Sequence, residues 1–540
     1  MLGPLLRFVG SRPEDGGSAT VWVETDVPCL VEVQAGGVRA RSRTFTVAGH
    51  HFALVLVRGL PERAETPYQV ELDGEPVWPA LPDWPASVIR TRQRSDPVRL
   101  AFGSCRVAGP LDDSHNGVDA LHALAVRLRE QARDDWPDEL LLVGDQVYAD
   151  DYISPDTAAF IRGRRDTSVG PGTQVGDVEE YCCLYRESWT PDPIRWLLST
   201  VPSAMVFDDH DVHDDWNTSA TWRRQMQQTD WWQDRIEAGL MTYWLYQHIG
   251  NLDPDELATS DLLQALQAVE DGEDVLREHA RKADAEADGG GPTRWSYRRD
   301  LGTSRLLVLD SRCGRVVADD RREMLDEPEW AWVREQLRGD HDHLLLATSL
   351  PYLLPPGVHH LEAFDEALAD GVWGRAAARV GEKLRQGADF EHWAAFGTSF
   401  VRMSDLLDEV SAGEHGRPPA TVTFLSGDVH FGYLAETVRD ARPGATRVFQ
   451  AVCSPLRNPL PAAMKIGQML VCTRIATGLG RALSRAARVA RPPFSWRLTG
   501  GPSFGNMLAT LDLDGRRAVL TVEKAVAGPR LRHGFARQLA

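Results

Sequence analysis

The chain has 540 residues, 43% of them hydrophobic and 25% charged, enough for a large core and more than one domain. Its formal net charge of −19 argues against nucleic acid or an anionic membrane as the main partner. No run approaches the ~18 uncharged apolar residues that cross a bilayer, and the start, MLGPLLRFVGSRPEDGG, has no basic leader or small-residue cleavage site. No transmembrane segment is expected, and the expected address is cytoplasmic.

Residues 1–95 predict an all-β domain. SATVWVET, LVEVQAG, FALVLVRGL and YQVELDG alternate apolar and polar positions between Gly, Pro and Asp turns. Strands of this number and length suit a small sandwich of immunoglobulin or fibronectin type, acting as a support or lid. Ser95–Asp96–Pro97 marks its end, and residues 96–540 form the second domain.

From Val98 strands alternate with helices. VRLAFG, a helix with Val118, Leu121, Leu124, Ala125 and Leu128 on one face, and ELLLV make a right-handed βαβ unit with parallel strands. The tryptophans between 216 and 247 fall at helical spacing and predict a packed helical layer. Residues 253–288 hold twelve acidic against three basic side chains, an acidic helical insertion that runs to about 291 with a hinge at Gly289–Gly290–Gly291. Between Ala441 and Thr510 there is no acid but ten Lys and Arg, including a basic amphipathic helix at about 463–492. That helix either docks on the acidic body of the protein or makes a peripheral contact with an anionic membrane or substrate. A hairpin turning at Asp514–Gly515 closes the chain. The seven cysteines form no C-x-x-C pair, so no disulfide framework or zinc ribbon organises the fold, and Cys182–Cys183 reads as buried packing.

Six strand-like runs stop at polar clusters: Ser104–Cys105–Arg106, Asp145 to Tyr148, Asp208 to Asp211, Asp310–Ser311–Arg312, Thr348–Ser349 and Asp428 to His430. Ligands of α/β proteins sit at the carboxyl ends of strands, so these clusters are expected to converge on one site. Asp145 and Tyr148 face one way if the chain there starts a helix, and a phenolate suits Fe(III) better than Zn or Mg. Asp209 pairs a carboxylate with the neighbouring His210 imidazole, Asp428 and His430 alternate, and Cys105 can supply a thiolate. Such a mixture of S, N and O donors suits a transition metal beside a harder cation such as Ca²⁺.

GSC, GDQVYADD, DDHDVHDDW, LDSRCGR and SGDVH together resemble the PhoD family of alkaline phosphatases, within the metallophosphoesterase superfamily. The resemblance implies a sandwich of two mixed β-sheets flanked by helices, carrying iron and calcium, with Mn²⁺, Mg²⁺ or Zn²⁺ as alternatives. It makes Asp145 the carboxylate that bridges two metals, puts Cys105, Tyr148 and His430 on the iron-like site, and puts Asp209 and Asp428 on the second. It makes His210 the proton donor to the leaving oxygen and Arg312 a phosphate clamp, with Arg106 as a second candidate.

The expected activity is phosphoric ester hydrolysis by a metal-bound hydroxide, on monoesters, diesters or both. The basic segment leaves open a phosphodiesterase or phospholipase D-like activity on a larger anionic diester. A catalytically silent metal-binding protein is the third reading. The chain departs from the pattern in three places. GSC stands where most of the superfamily has D-x-H, Asp428 where it often has His, and His213–Asp214–Asp215 before Trp216 where paired Asn is usual. Asp214 or Asp215 is therefore a candidate further calcium ligand. Most family members are exported, whereas no export signal is read here.

Overall fold

The structure is a computed structural model that describes the whole chain except residues 13–15, 112–114, 290–292, 319–320 and 439–444. Gly290 and Gly291 of the expected hinge lie outside the described residues, as does the start of the basic tract.

The alternating runs at the N-terminus form two facing sheets. One orders Leu2–Arg12, Gly16–Thr25, His50–Leu60 and Phe45–Val47; the other orders Val38–Arg43, Leu30–Ala35, Glu65–Leu72 and Glu75–Trp78, with Val88–Arg90 joining at Glu65–Leu72. Alternation sends Leu6, Val21, Val31, Val33, Val55 and Val70 into the space between them, all fully buried. Arg7, 0% exposed, ties this unit to the rest through Nη1 to the Tyr246 carbonyl and Nη2 to the Gln247 carbonyl, each at 2.7 Å.

Beyond it lie two mixed sheets. The first orders Ser203–Val206, Glu139–Val143 and Val98–Gly103, all parallel, followed by the antiparallel Met507–Asp514, Arg517–Val526 and Arg530–Gln538. The second orders Tyr297–Leu301, Ser304–Val308, His343–Ala347, Thr421–Ser426, Arg447–Val452, Gly432–Val438 and Ser495–Ser503. The expected crossover is present: Leu100 pairs with Glu139 in parallel, and Ala120–Glu130 lies between the strands, capped by the Asp119 carboxylate.

Strands apolar on both faces are those of a sheet covered on both sides. Leu100, Phe102, Leu141 and Val143 meet Leu306, Val308, Leu345 and Leu425 in one cluster between the sheets. Leu140 and Leu142 point the other way, into a helical layer with Trp189, Trp196, Trp216, Trp222, Trp232 and Trp244. The acidic insertion folds as Pro254–Ala258, Asp261–Gln267 and Glu273–Asp284, and buries Leu266, Leu276 and Ala280 against that layer. The basic segment is two helices, Ala462–Val471 and Arg474–Ala486, rather than one. The closing hairpin turns at Asp514 and Gly515, where φ is +53°.

Candidate metal centre

The six polar clusters leave six parallel strands, three in each sheet, so they meet where the two sheets come together. The chain ends knit directly. Cys105 N–H donates to the Gly144 carbonyl at 3.2 Å, Asp428 N–H to Ser104 Oγ at 3.2 Å, and Leu456 N–H to the Ser104 carbonyl at 2.7 Å. A Cβ on Gly427 would stand 2.1 Å from Ser104 Oγ, so only glycine permits this approach of one sheet to the other.

The backbone at the convergence is unusual. Cys105, Asp145, Asp215, Asn217, Asp428 and His430 all have φ between +57° and +65°, or +51° for Asp145. Left-handed non-glycine residues are uncommon, cost about 1–3 kcal/mol each, and gather at ligand clamps and active sites.

Asp145, Asp208 and Asp209 bring one carboxylate oxygen each within 4.8 Å of one another. Asp145 and Tyr148 do face one another, but not on a helix: residues 145–151 are an irregular loop, and Tyr148 Oη donates to Asp145 Oδ2 at 3.3 Å. Three backbone N–H groups, of Asp145, Gln146 and Val147, donate to the buried Asp211 carboxylate and fix that loop. Asn458 links two candidate ligands, its Nδ2 donating to Tyr148 Oη at 3.0 Å and its carbonyl accepting from His430 Nδ1 at 2.9 Å. Holding the proton on Nδ1 leaves the His430 Nε2 lone pair for a cation. Cys105 Sγ lies 3.6 Å from the Asp428 carbonyl and 3.2 Å from Ser454 Oγ. Cys105, Asp145, Tyr148, Asp209, Asp428 and His430 are thus gathered, from four strand ends, into one neighbourhood.

The electrostatics ask for cations. Burial, then the carboxylates around it, lifts Asp145 well above its ordinary range despite His210 nearby. Burial raises Asp208 to about 8, with Arg312 offsetting only part, and burial with Glu391 beside it raises Asp215 to about 9. Asp145 Oδ1, Asp208 Oδ2 and Asp215 Oδ1 are buried with no hydrogen-bond partner. Orphaned carboxylate oxygens in a dry acidic pocket fit metal ions of the kind the donor set suggests.

His210 stands at the edge of this cluster. Its Nδ1 is 3.0 Å from both oxygens of the Asp150 carboxylate, its ring lies 4.8 Å from that of Tyr148, and its Nε2 is 3.8 Å from Asp214 Oδ1. Burial works against its charge, but Asp150 and Asp209 outweigh burial and lift its pKa well above the ordinary histidine value.

Two arginines are placed differently from the sequence reading. Arg106 shares the strand end with Cys105, but its guanidinium turns to the Asp119 carboxylate at 2.8 Å and to Ser188, and so braces a helix start. Arg312 lies at the cluster, fully buried, and is enclosed by carboxylates: Asp208, Asp209 at 3.2 Å and Glu391 at 2.5 Å. Each of these contacts of the guanidinium is to a carboxylate. Asp310, from the same stretch, is spent on its own turn, accepting from the N–H groups of Arg312, Cys313 and Gly314.

The structure also adds residues the sequence did not offer. His392 Nε2 lies 2.8 Å from Asp428 Oδ2 and its Nδ1 2.8 Å from Glu362 Oε1. It follows no strand and sits in no motif, so only the tertiary fold reveals it. Asp150 was in view within GDQVYADD, and a helix-free loop is what turns it towards His210. A cavity of about 890 Å³ lies elsewhere, between the N-terminal unit and Tyr297–Leu301, and none of the cluster residues lines it.

The arrangement brings carboxylates, imidazole, thiol and phenol together at the seam of two mixed sheets. Residues 122–266 match the family described as PhoD-like phosphatase, and residues 1–89 match a domain of unknown function, DUF7800. A solved structure titled "Structure of PhoD" is similar over 99% of this chain and 89% of its own, at 11% identity and a TM-score of 0.59, a likeness of fold. No curated protein matches the chain. Residues 122–266 are thus PhoD-like by the family match, and the chain as a whole shares the fold of the solved PhoD structure.

Proposed function

We propose that the protein is a metal-dependent phosphoric ester hydrolase whose centre is built from Cys105, Asp145, Tyr148, Asp209, Asp428 and His430. The observation that carries this reading is the gathering of those six side chains around buried carboxylate oxygens that lack protein partners. Cys105, Tyr148 and His430 would suit iron, and Asp209 and Asp428 a second cation such as calcium, with the Asp145 carboxylate available to either. Asp215 is the better placed of the two further candidates, because Asp214 is largely exposed. When bound, such metal ions activate water and neutralise phosphoryl charge.

The protein's own groups supply the rest. Asp150 holds the His210 ring by Nδ1 and favours the imidazolium, so Nε2 carries a proton to give to the departing alkoxide or phenolate. Arg312 holds Asp208 and Asp209 in place as a buried cation rather than touching substrate. His430 is kept in one tautomer by the Asn458 carbonyl. No nucleophilic side chain, and hence no phosphoenzyme, is required.

Comparing an aryl phosphate monoester with a bis-aryl phosphodiester, each with iron and calcium restored, tests the proposal. Turnover of either supports it. A protein that binds metal but hydrolyses neither is the silent binder. The basic tract between residues 445 and 510 favours a diester as the better substrate, because a larger anion has positive surface to meet.

A further inference from the structure

The helices Ala462–Val471 and Arg474–Ala486 reverse the ordinary arrangement of a surface helix. The second packs on Pro356–Ala369 through its small residues. A Cβ on Gly480 would come within 2.9 Å of His360 Cβ, and Ser484 Oγ donates to the His360 carbonyl at 2.7 Å. Two of its three large apolar side chains point outward, with Ile475 84% and Leu479 61% exposed, while Leu483 is half-buried. The first helix buries no residue and exposes Met464, Ile466, Met469 and Leu470. Next along the same supporting helix, Arg375–Gly387 and the turn before it expose Trp373, Val380 and Leu384. Together with Val372, these make ten of the sixteen large hydrophobic side chains exposed among the described residues. A patch of this kind on a water-soluble surface marks an interaction site.

The charges say what kind. Lys465, Arg474, Arg481, Arg485, Arg488 and Arg491 stand in or beside the two helices, and no acid occurs between residues 445 and 510. Interfacial helices carry apolar side chains together with lysine and arginine, and bind anionic headgroups while burying their apolar face at shallow depth. Helices of ten and thirteen residues are too short to span, and no helix among the described residues is long and apolar enough to cross a membrane. A second copy of the chain is disfavoured, because two such patches would set cation against cation. The net charge of −19, which speaks against a membrane for the chain as a whole, does not govern this face, since screening confines each charge to about 8 Å at physiological ionic strength.

We propose that this helical hairpin is a docking surface for an anionic phospholipid bilayer. It does not depend on the catalytic reading. It would, however, bring the bilayer close to the centre, because the supporting helix carries Glu362, which holds His392 and through it Asp428.

Flotation of the full chain with vesicles tests the proposal. Phosphatidylcholine vesicles with about one third phosphatidylglycerol should capture the protein at least tenfold better than phosphatidylcholine alone, and salt should weaken capture. The variant L470S/I475S/L479S should lose that preference while keeping the wild-type melting curve. If the triple variant misfolds, I475S alone, at the most exposed position, should still lower capture several-fold. Failure of the wild type to float with anionic vesicles, or equal capture of wild type and variants, overturns the proposal. So does a wild-type dimer that the triple variant converts to monomer, since the patch would then belong to a second copy.

Discussion

His392 Nε2 lies 2.8 Å from Asp428 Oδ2 while its Nδ1 lies 2.8 Å from Glu362 Oε1, so one imidazole fixes a candidate ligand from behind. Burial opposes the ring's charge, but Glu362 and Asp428 outweigh it and raise His392 well above its ordinary value. Supporting groups of this kind hold ligands in their binding geometry, and their loss typically costs about 10–100-fold in metal affinity. His392→Asn should therefore weaken metal binding by that factor, measured by titration calorimetry, with the far-ultraviolet circular dichroism unchanged.

Asp145→Asn should lower turnover by about 100-fold or more, the scale of removing one electrostatic contact to a reacting group. It should not destabilise the metal-free protein. The carboxylate sits in a pocket of like charge that burial and its neighbours resist ionising. Activity assays and a thermal melt of the same preparation check both halves.

His210→Gln separates proton donation from metal binding. Loss of the donor should slow esters of poor leaving groups by about 10²–10⁴-fold, the range of general acid catalysis, and aryl esters far less. The readout is the slope of log kcat/KM against leaving-group pKa, which should steepen in the variant. Asp150→Asn should move the slope in the same direction, because Asp150 favours the charged ring.

The strands and their order of use were legible because each buried run is apolar on both faces and ends abruptly in polar residues. ELLLV before Asp145 and TVTFLS before Asp428 needed no tertiary information. What escaped was set by contacts distant in sequence. Arg312 reads as a phosphate clamp in the sequence, and only the fold shows that Asp208, Asp209 and Glu391 stand around it. His392 has no local signal at all. The basic segment shows its charge in sequence, but which face packs is decided by Gly480 and Ser484 fitting against His360, where the larger Ile475 and Leu479 would not.

Two histidines away from the centre predict acid sensitivity. Burial lowers His248 to about 3 and His359 to about 3, and their Nδ1 atoms have no hydrogen-bond partner. In the unfolded chain both regain an ordinary value near 6.5 and bind protons the folded state refuses. Their contribution is complete above about pH 6.5 and is lost progressively as the pH falls towards 3. His359→Leu, in its aromatic surroundings of Phe400 and Trp496, should move the acid-unfolding midpoint to lower pH, followed by tryptophan fluorescence.

Metal content measured against activity tests the centre most directly. Elemental analysis of the purified protein should find iron with a second cation such as calcium. Exhaustive chelation should abolish phosphate-ester hydrolysis, restoring both ions should return it, and Asp145→Asn should retain less of each. Full hydrolysis by protein freed of metal, or wild-type metal content and rate in Asp145→Asn, would contradict the account.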